Sequence, residues 1–145
     1  ALPTDMQVIG AVQRAANENT VAMCAAGTMP GELHKLWKAG RPGSYHMEYG
    51  FSCMGYEIAG AMGIKMAEPD RDVICMLGDG SYMMMNSELA TAAMMGIKIT
   101  VVGITFNGEV VWSFATPTLA NFVDYVEKGK PVGIVHVHDL LRVGF

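Results

Sequence analysis

The stretch "CMLGDGSYMMMNSELATAAMMGIKITVVGITFNG", residues 75–108, contains two apolar segments that each end in a polar residue. The first segment ends in Gly-Asp-Gly, with Asp79 at its centre, and the second ends in Phe-Asn-Gly, with Asn107 before the glycine. Between them lies a segment of helical character that Asn86 or Ser87 can cap and that Gly96 can close. The order strand, helix, strand is typical of parallel sheets.

The rest of the chain continues this alternation. A capping-box pair, Thr4 and Gln7, opens a predicted helix, and an apolar run at 20–27 predicts a buried strand. Residues 28–53 predict a long loop with one helical turn around Leu33–Trp37. The further predicted elements are helices over 54–70 and 116–129 and strands over 71–80, 97–108 and 130–140. We therefore predict one α/β domain over 1–145, a three-layer parallel sheet with helices on both faces.

The composition limits the classes of function. The chain has 145 residues, of which 51% are hydrophobic and 17% charged, and its net charge is −4. This composition fills a core, and scattered basic residues argue against a nucleic-acid partner. No uncharged apolar run reaches ~18 residues, so we predict no membrane span. Three cysteines without metal-type spacing predict reduced thiols in a cytoplasmic protein.

Asp79 and Asn107 follow the carboxyl ends of two predicted strands, where parallel sheets bind ligands. Carboxylate and amide oxygens suit Mg²⁺, which commonly binds substrate phosphates as well. Gly78 and Gly80 permit a diphosphate to approach the backbone, and Ser81 adds a hydroxyl donor. The alternative interpretation is that Gly-Asp-Gly and Asn-Gly are only tight turns.

Gly-Asp-Gly followed after about 26 residues by Asn is similar to the signature of thiamine-diphosphate (ThDP) enzymes. The resemblance implies that Asp79, Asn107 and the backbone carbonyl of Glu109 hold Mg²⁺ at the cofactor diphosphate. Among the implied cofactor-binding residues are also Gly78, Gly80 and Ser81.

The stretches "AAGTMPGELHKLW", "YHMEYGFSCMGYEIAGAMGIKMAEPD" and "GDGSYMMMNSEL" extend the likeness. Over about residues 4–102 the chain resembles the trihydroxycyclohexane-dione acylhydrolases of myo-inositol catabolism. This resemblance implies hydrolytic ring opening of a cyclic 1,2-diketone. It places Met54 under the cofactor, where the residue alone would predict an ordinary core methionine, and it makes Gly27, Thr28 and Ser52 cofactor-binding residues.

The resemblance fades after about residue 103, and Asn107 comes one residue later than in the pattern of the resembled family. The tail, residues 129–145, resembles the end of a CBS module of sugar-phosphate isomerases. The resemblance also implies a second, pyrimidine-binding domain or second subunit that supplies an activating Glu, and hence a homo-oligomer. The alternatives are a non-catalytic α/β fragment and a CBS-like ligand-sensing module.

Overall fold

The computed structural model describes residues 4–104 and 110–115 of the chain. This part contains five helices and five strands. In chain order they are α1 (Asp5–Ala15), β1 (Thr20–Cys24), α2 (Thr28–Leu36), β2 (Tyr45–Met47), α3 (Tyr56–Ala67), β3 (Asp72–Gly78), α4 (Asp79–Met85), α5 (Glu88–Met94), β4 (Thr100–Ile104) and β5 (Val110–Ala115).

The strands form one sheet in the order β2-β1-β3-β4-β5. The first four of these are parallel, with Met23 opposite Cys75 and Met76 opposite Val102. The predicted parallel α/β sheet is thus confirmed. β5 was not predicted, and it runs antiparallel to β4. The few residues between Ile104 and Val110 are too short for the crossover that a parallel neighbour needs.

Successive residues of the central strand β3 point to opposite faces of the sheet, and each face has its own core. One core includes Val73, Cys75 and Leu77 together with residues of α3 and α5. The other includes Met76 together with residues of α1 and α2. Helices therefore cover both faces, and the predicted three-layer architecture is confirmed.

Two predicted helix ends are confirmed by their hydrogen bonds. The Gln7 amide donates to Thr4 Oγ1 (3.3 Å) and the Thr4 amide donates to Gln7 Oε1 (2.9 Å), which completes the capping box. Gly96, with φ of 66°, closes α5, and the Ile97 amide donates to the Ala92 carbonyl at 2.9 Å. That bond is typical of a Schellman motif, in which glycine adopts the left-handed conformation.

The helix predicted to start after Asn86 or Ser87 is confirmed in position as α5, but the short helix before it, α4, was not predicted. Helix α4 begins at Asp79 itself, directly after the strand, and a turn at Asn86 and Ser87 separates it from α5. Ser87 stands at the N-cap of α5 in a helical conformation and makes no side-chain cap hydrogen bond. The backbone at Ser87 already follows the helical path of α4, so the extended conformation of an ordinary N-cap is not reached.

The predicted long loop over 28–53 is also wrong in part, since it contains α2 and β2. The single helical turn predicted around Leu33–Trp37 is part of α2, which begins at Thr28, because Pro30 lies in the first turn, where no amide donor is required. β2 has only three residues and no alternation that could reveal it. The predicted helix over 116–129, the predicted strand over 130–140 and the CBS-like tail lie outside the described residues.

Arg71, a buried cation, connects the segments at the amino ends of the parallel strands, which we call the amino edge of the sheet. Its guanidinium donates to the Asn19 carbonyl (3.2 Å), Ser44 Oγ (2.7 Å) and Glu68 Oε2 (3.1 Å). These acceptors belong to three different connecting segments, so one side chain ties them together. Of the helices in the described part of the chain, none has both the length and the apolar character to cross a membrane.

Candidate functional site

The candidate site lies at the carboxyl ends of the parallel strands, which we call the carboxyl edge of the sheet. It is at the point where the direction of the strand order reverses. From β1 the chain moves to β2 on one side, and from β3 it moves to β4 on the other side. Gly27 follows β1, and Asp79 follows β3, the direct neighbour of β1. Such a switch point leaves a crevice between the two loops, and open α/β sheets bind ligands there.

Asp79 is the first residue of α4 and is exposed. Its Oδ1 accepts a hydrogen bond from the Gly80 amide at 2.8 Å. Gly78 ends β3 in an extended conformation and pairs with Ile104 in the sheet. β3 therefore places the carboxylate at the carboxyl edge of the sheet, and the chain continues from there as the short helix α4.

Gly80 lies against Met54, which comes from a different part of the chain. A Cβ atom at Gly80 would stand 3.1 Å from Met54 Cε, closer than ordinary van der Waals contact. Met54 is 43% exposed, so its interpretation as an ordinary core methionine is wrong. The structure thus brings Met54, the residue predicted to lie under the cofactor, into contact with Gly80 of the predicted diphosphate loop.

Ser81 is 1% exposed, and its Oγ has no hydrogen-bond partner among the described residues. A buried hydroxyl without a partner is costly, by about 1–3 kcal/mol. Such groups are uncommon in folded proteins unless an ion, a water molecule or a ligand supplies the partner. Ser81 therefore fits a site that a polar ligand completes.

The loop before α3, residues 48–55, is held by Glu48. Its carboxylate accepts from the amides of Phe51 (3.0 Å) and Cys53 (2.6 Å), and these bonds lower the pKa of Glu48. Ser52 lies between them with φ of 54°, a left-handed conformation that non-glycine residues seldom adopt. No role is predicted for Glu48 from the sequence, because a loop carboxylate has no periodic pattern to reveal its target.

Gly55 joins this loop to α3 with φ of 91°. Its amide donates to Glu57 Oε2 at 2.8 Å, and a Cβ at Gly55 would stand 3.0 Å from Met85 Cγ. The loop therefore packs directly on α4. No role is predicted for Glu57 either, although a single acidic residue in the apolar segment "YEIAGAM" is a usable signal.

Gly27 is the N-cap of α2 with φ of 131°, and Thr28 is the first residue of that helix. The structure thus places Gly27, Thr28, Gly78, Asp79, Gly80 and Ser81 at one edge, and the loop with Ser52 and Met54 reaches Gly80. Asn107 and Glu109 lie outside the described residues, and their roles stay predictions. Within 4–104 and 110–115, no cluster of three or more His, Cys, Asp or Glu could hold a metal ion.

Several known proteins are similar to the chain. It is 49% identical over 98 residues to a 3D-(3,5/4)-trihydroxycyclohexane-1,2-dione hydrolase of Bacillus thuringiensis, a match covering 68% of the chain and 15% of the relative. It is 50% identical over 91 residues to the protein of that name in Shouchella clausii, covering 63% of the chain and 14% of the relative. The chain therefore spans about 15% of the length of these relatives.

A solved structure of a thiamin diphosphate-dependent enzyme from Mycobacterium smegmatis shares the fold, with a TM-score of 0.64 at 22% identity. The superposition covers 72% of this chain and 21% of that one. The sequence profile of the family described as "Thiamine pyrophosphate enzyme, C-terminal TPP binding domain" matches residues 25–108. Because this match spans more than half of the sequence, the chain belongs to the thiamine pyrophosphate (thiamine diphosphate) enzymes, in their C-terminal cofactor-binding domain.

Proposed function

We propose that the carboxyl edge of the sheet binds ThDP through Mg²⁺, with Asp79 as the principal protein ligand of the metal. The observation that carries the proposal is the contact between Met54 and Gly80, next to Asp79. It joins a residue expected under the cofactor to the residues expected at its diphosphate. The unpartnered Ser81 Oγ supports the same assignment, because a diphosphate oxygen is a suitable acceptor for it.

In this proposal each candidate residue contacts one part of the bound Mg²⁺ and ThDP. Asp79, with Asn107 and the Glu109 carbonyl, holds Mg²⁺, an ion that prefers oxygen ligands. Gly78, Gly80 and Ser81 lie against the diphosphate. The loops that contain Gly27, Thr28 and Ser52 line the other sides of the site. Met54 supports the ring system from its position over Gly80. When bound, ThDP supplies a nucleophilic carbon and an electron sink for carbon–carbon cleavage.

For the whole protein we propose hydrolysis of a cyclic 1,2-diketone in inositol catabolism, in the cytoplasm. The support is the identity of 49% to relatives named trihydroxycyclohexanedione hydrolases. Free thiols at Cys24, Cys53 and Cys75 accord with a reducing compartment. The chain spans about 15% of those relatives, so this activity needs residues beyond it.

We further propose that a pyrimidine-binding domain or a second subunit covers the site and supplies the activating Glu. Several large apolar side chains beside the site are exposed, among them Phe51 at 90% and Met83 at 69%. These side chains belong to the loop before α3 and to α4, which pack on each other at Gly55, and exposed apolar groups of this size are typical of an interface. A homo-oligomer in which each subunit completes its neighbour's site satisfies this surface.

The test is isothermal titration calorimetry with ThDP and Mg²⁺. We expect Asp79→Ala to weaken binding about tenfold or more, since a charged metal ligand is lost. Asp70→Ala is the matched control, because Asp70 is also an exposed aspartate but lies before β3 at the amino edge. Equal affinities of wild type and Asp79→Ala would contradict the assignment. Adenine-nucleotide binding that needs no Mg²⁺ and survives Asp79→Ala would instead support a CBS-like module.

A further inference from the structure

Glu57 is a carboxylate inside the core and has no task in the function proposed above. It is 0% exposed and lies in the first turn of α3, beside the buried Ile58 and Ala61. Burying a carboxylate costs several kcal/mol unless hydrogen bonds compensate for the lost water. Its Oε1 has no hydrogen-bond partner among the described residues, so the compensation is incomplete.

The other oxygen of Glu57 holds the turn that enters α3. Oε2 accepts the Gly55 amide at 2.8 Å, a buried bond between a carboxylate and the backbone. Gly55 is the N-cap of α3 and has no side chain with which to cap the helix. The carboxylate therefore satisfies a donor at the helix start and fixes the left-handed turn at Gly55.

This turn determines where Met54 lies. Met54 directly precedes Gly55, and its Cε packs against Gly80 in the diphosphate loop. On the other side, Gly55 packs against Met84 and Met85 of α4, with 3.1 Å and 3.0 Å between its would-be Cβ and their nearest atoms. A chain of contacts thus runs from the Glu57 carboxylate through the Gly55 amide to Met54 and the site.

We propose that Glu57 is a positioning residue for Met54, and that the reach of its side chain, rather than its charge, performs this task. By holding the Gly55 amide it fixes Met54 over Gly80, where the cofactor would rest. The effect on cofactor affinity rests on the proposed function. The effect on the Gly55 turn does not rest on it, so the two can fail separately.

The first experiment observes the turn without any ligand. The protein is labelled with ¹³C-carbonyl Met and ¹⁵N-Gly. An NMR spectrum that correlates each carbonyl with the following amide then shows only glycines that follow a methionine, which are Gly55, Gly63 and Gly96 in this sequence. Glu57→Gln keeps an acceptor at the same reach, so Gly55 should stay protected from hydrogen exchange. Glu57→Asp keeps the charge but is one methylene shorter, so Gly55 should exchange about tenfold faster. Gly63 and Gly96 should be unchanged in both variants.

The order of these variants decides between reach and charge. If the charge mattered, Glu57→Asp would retain the wild-type protection and Glu57→Gln would lose it, and the proposal would be overturned. Neither change removes side-chain polarity, so both variants are expected to fold. Equal protection of Gly55 in all three proteins would also overturn it.

The second experiment measures ThDP affinity in a double-mutant cycle with Met54→Ala. We expect Glu57→Asp to weaken ThDP binding about tenfold in the wild-type background and less than about twofold when Met54 is already Ala. A purely structural role would give the same loss in both backgrounds and would contradict positioning through Met54. Glu88→Asp, in the first turn of α5, is the matched control and should bind normally. If wild type binds no ThDP, the proposed function fails. The hydrogen-exchange experiment would still test whether Glu57 holds the turn at Gly55.

Discussion

The three cysteines differ in how far the structure encloses them. Cys24 and Cys75 are buried in the sheet, whereas Cys53 is exposed in the loop before α3. Burial raises the pKa of Cys24 and, further, that of Cys75, and the negative charge of Glu57 acts in the same direction on both. The thiolate, which is the reactive form, is therefore disfavoured at both buried positions.

We expect iodoacetamide at neutral pH to alkylate Cys53 in the native protein and to leave Cys24 and Cys75 unmodified. In denaturant all three should react, and peptide mass spectrometry identifies the modified positions. Cys53→Ser is the control and should show no rapid native labelling. Native alkylation of Cys75 at the rate of Cys53 would contradict the burial described above.

Glu48 makes the loop before α3 sensitive to acid. Its pKa is lowered in the folded state by the amides of Phe51 and Cys53, from an ordinary value of 4.5. A lowered folded pKa means that the ionised form stabilises the fold. This contribution is complete above pH 4.5 and is lost as the pH falls through the lower folded value.

Thermal melts of wild type and Glu48→Gln should therefore differ at pH 7 and converge as the pH falls below 4.5. Since the glutamine side chain of this variant cannot ionise, its melting temperature carries no such dependence from this position. The effect is expected to be small because the carboxylate is solvated. A difference that grows on acidification would have the wrong sign for this cause.

Residue-scale prediction from sequence succeeded where a residue type and its place in the strand order were both visible. Asp79, between two glycines at the end of an apolar run, could be placed at the carboxyl edge for that reason. Glu48 and Glu57 could not, because each binds backbone amides within its own loop or turn. Such local bonds leave no periodicity in the sequence and depend on φ angles, at Ser52 and Gly55, that composition does not reveal.

At the scale of elements, α3 contains two glycines with opposite demands. A Cβ at Gly60 would stand 2.7 Å from both Met23 Cε and Tyr56 Cε1, whereas nothing lies within 4 Å of one at Gly63. We expect Gly60→Ala to destabilise the protein by about 1–3 kcal/mol through overpacking. Gly63→Ala should stabilise it by about 0.5–1 kcal/mol, because glycine weakens a helix interior.

Urea unfolding of the two variants against wild type measures both effects on one helix. Because the chemical change is the same, their opposite signs would isolate packing from helix propensity. If Gly60→Ala were as stable as wild type, Met23 and Tyr56 would have moved aside without cost, and the overpacking expected at Gly60 would be contradicted.

The elements predicted correctly are those with strong local patterns. The capping box of α1, the apolar runs of β1, β3 and β4 and the glycine closing α5 each carry their signal within a few residues. The elements that were missed depend on pairing or context. β2 is three residues long and is stabilised by its neighbour β1, and β5 exists through its antiparallel pairing with β4.

At the scale of the whole molecule, the exposed apolar surface beside the site should make the isolated chain associate. We define this surface by Tyr49, Phe51, Met83 and Met84, all more than half exposed. We expect sedimentation velocity to show concentration-dependent dimers. Phe51→Lys and Met83→Lys should lower the dimer fraction by adding like charges to an apolar contact.

Met94→Lys is the control for this experiment. Met94 is 73% exposed, but it ends α5, which leads to the start of β4 at the opposite edge of the sheet. The same charge at this position should leave association unchanged. A wild-type chain that stays monomeric at all concentrations would contradict the interface proposed here.

The buried Arg71 at the amino edge has a consequence for how the protein can change. Its guanidinium binds three connecting segments at the end of the sheet away from the candidate site. The connections at this end are thus tied together by one side chain, whereas the loop before α3 at the other end is held separately, by Glu48 and Glu57. Because the two ends are held by separate contacts, exchange of residues 48–55 between relatives should leave the amino edge intact, provided that Glu48 and Gly55 are retained.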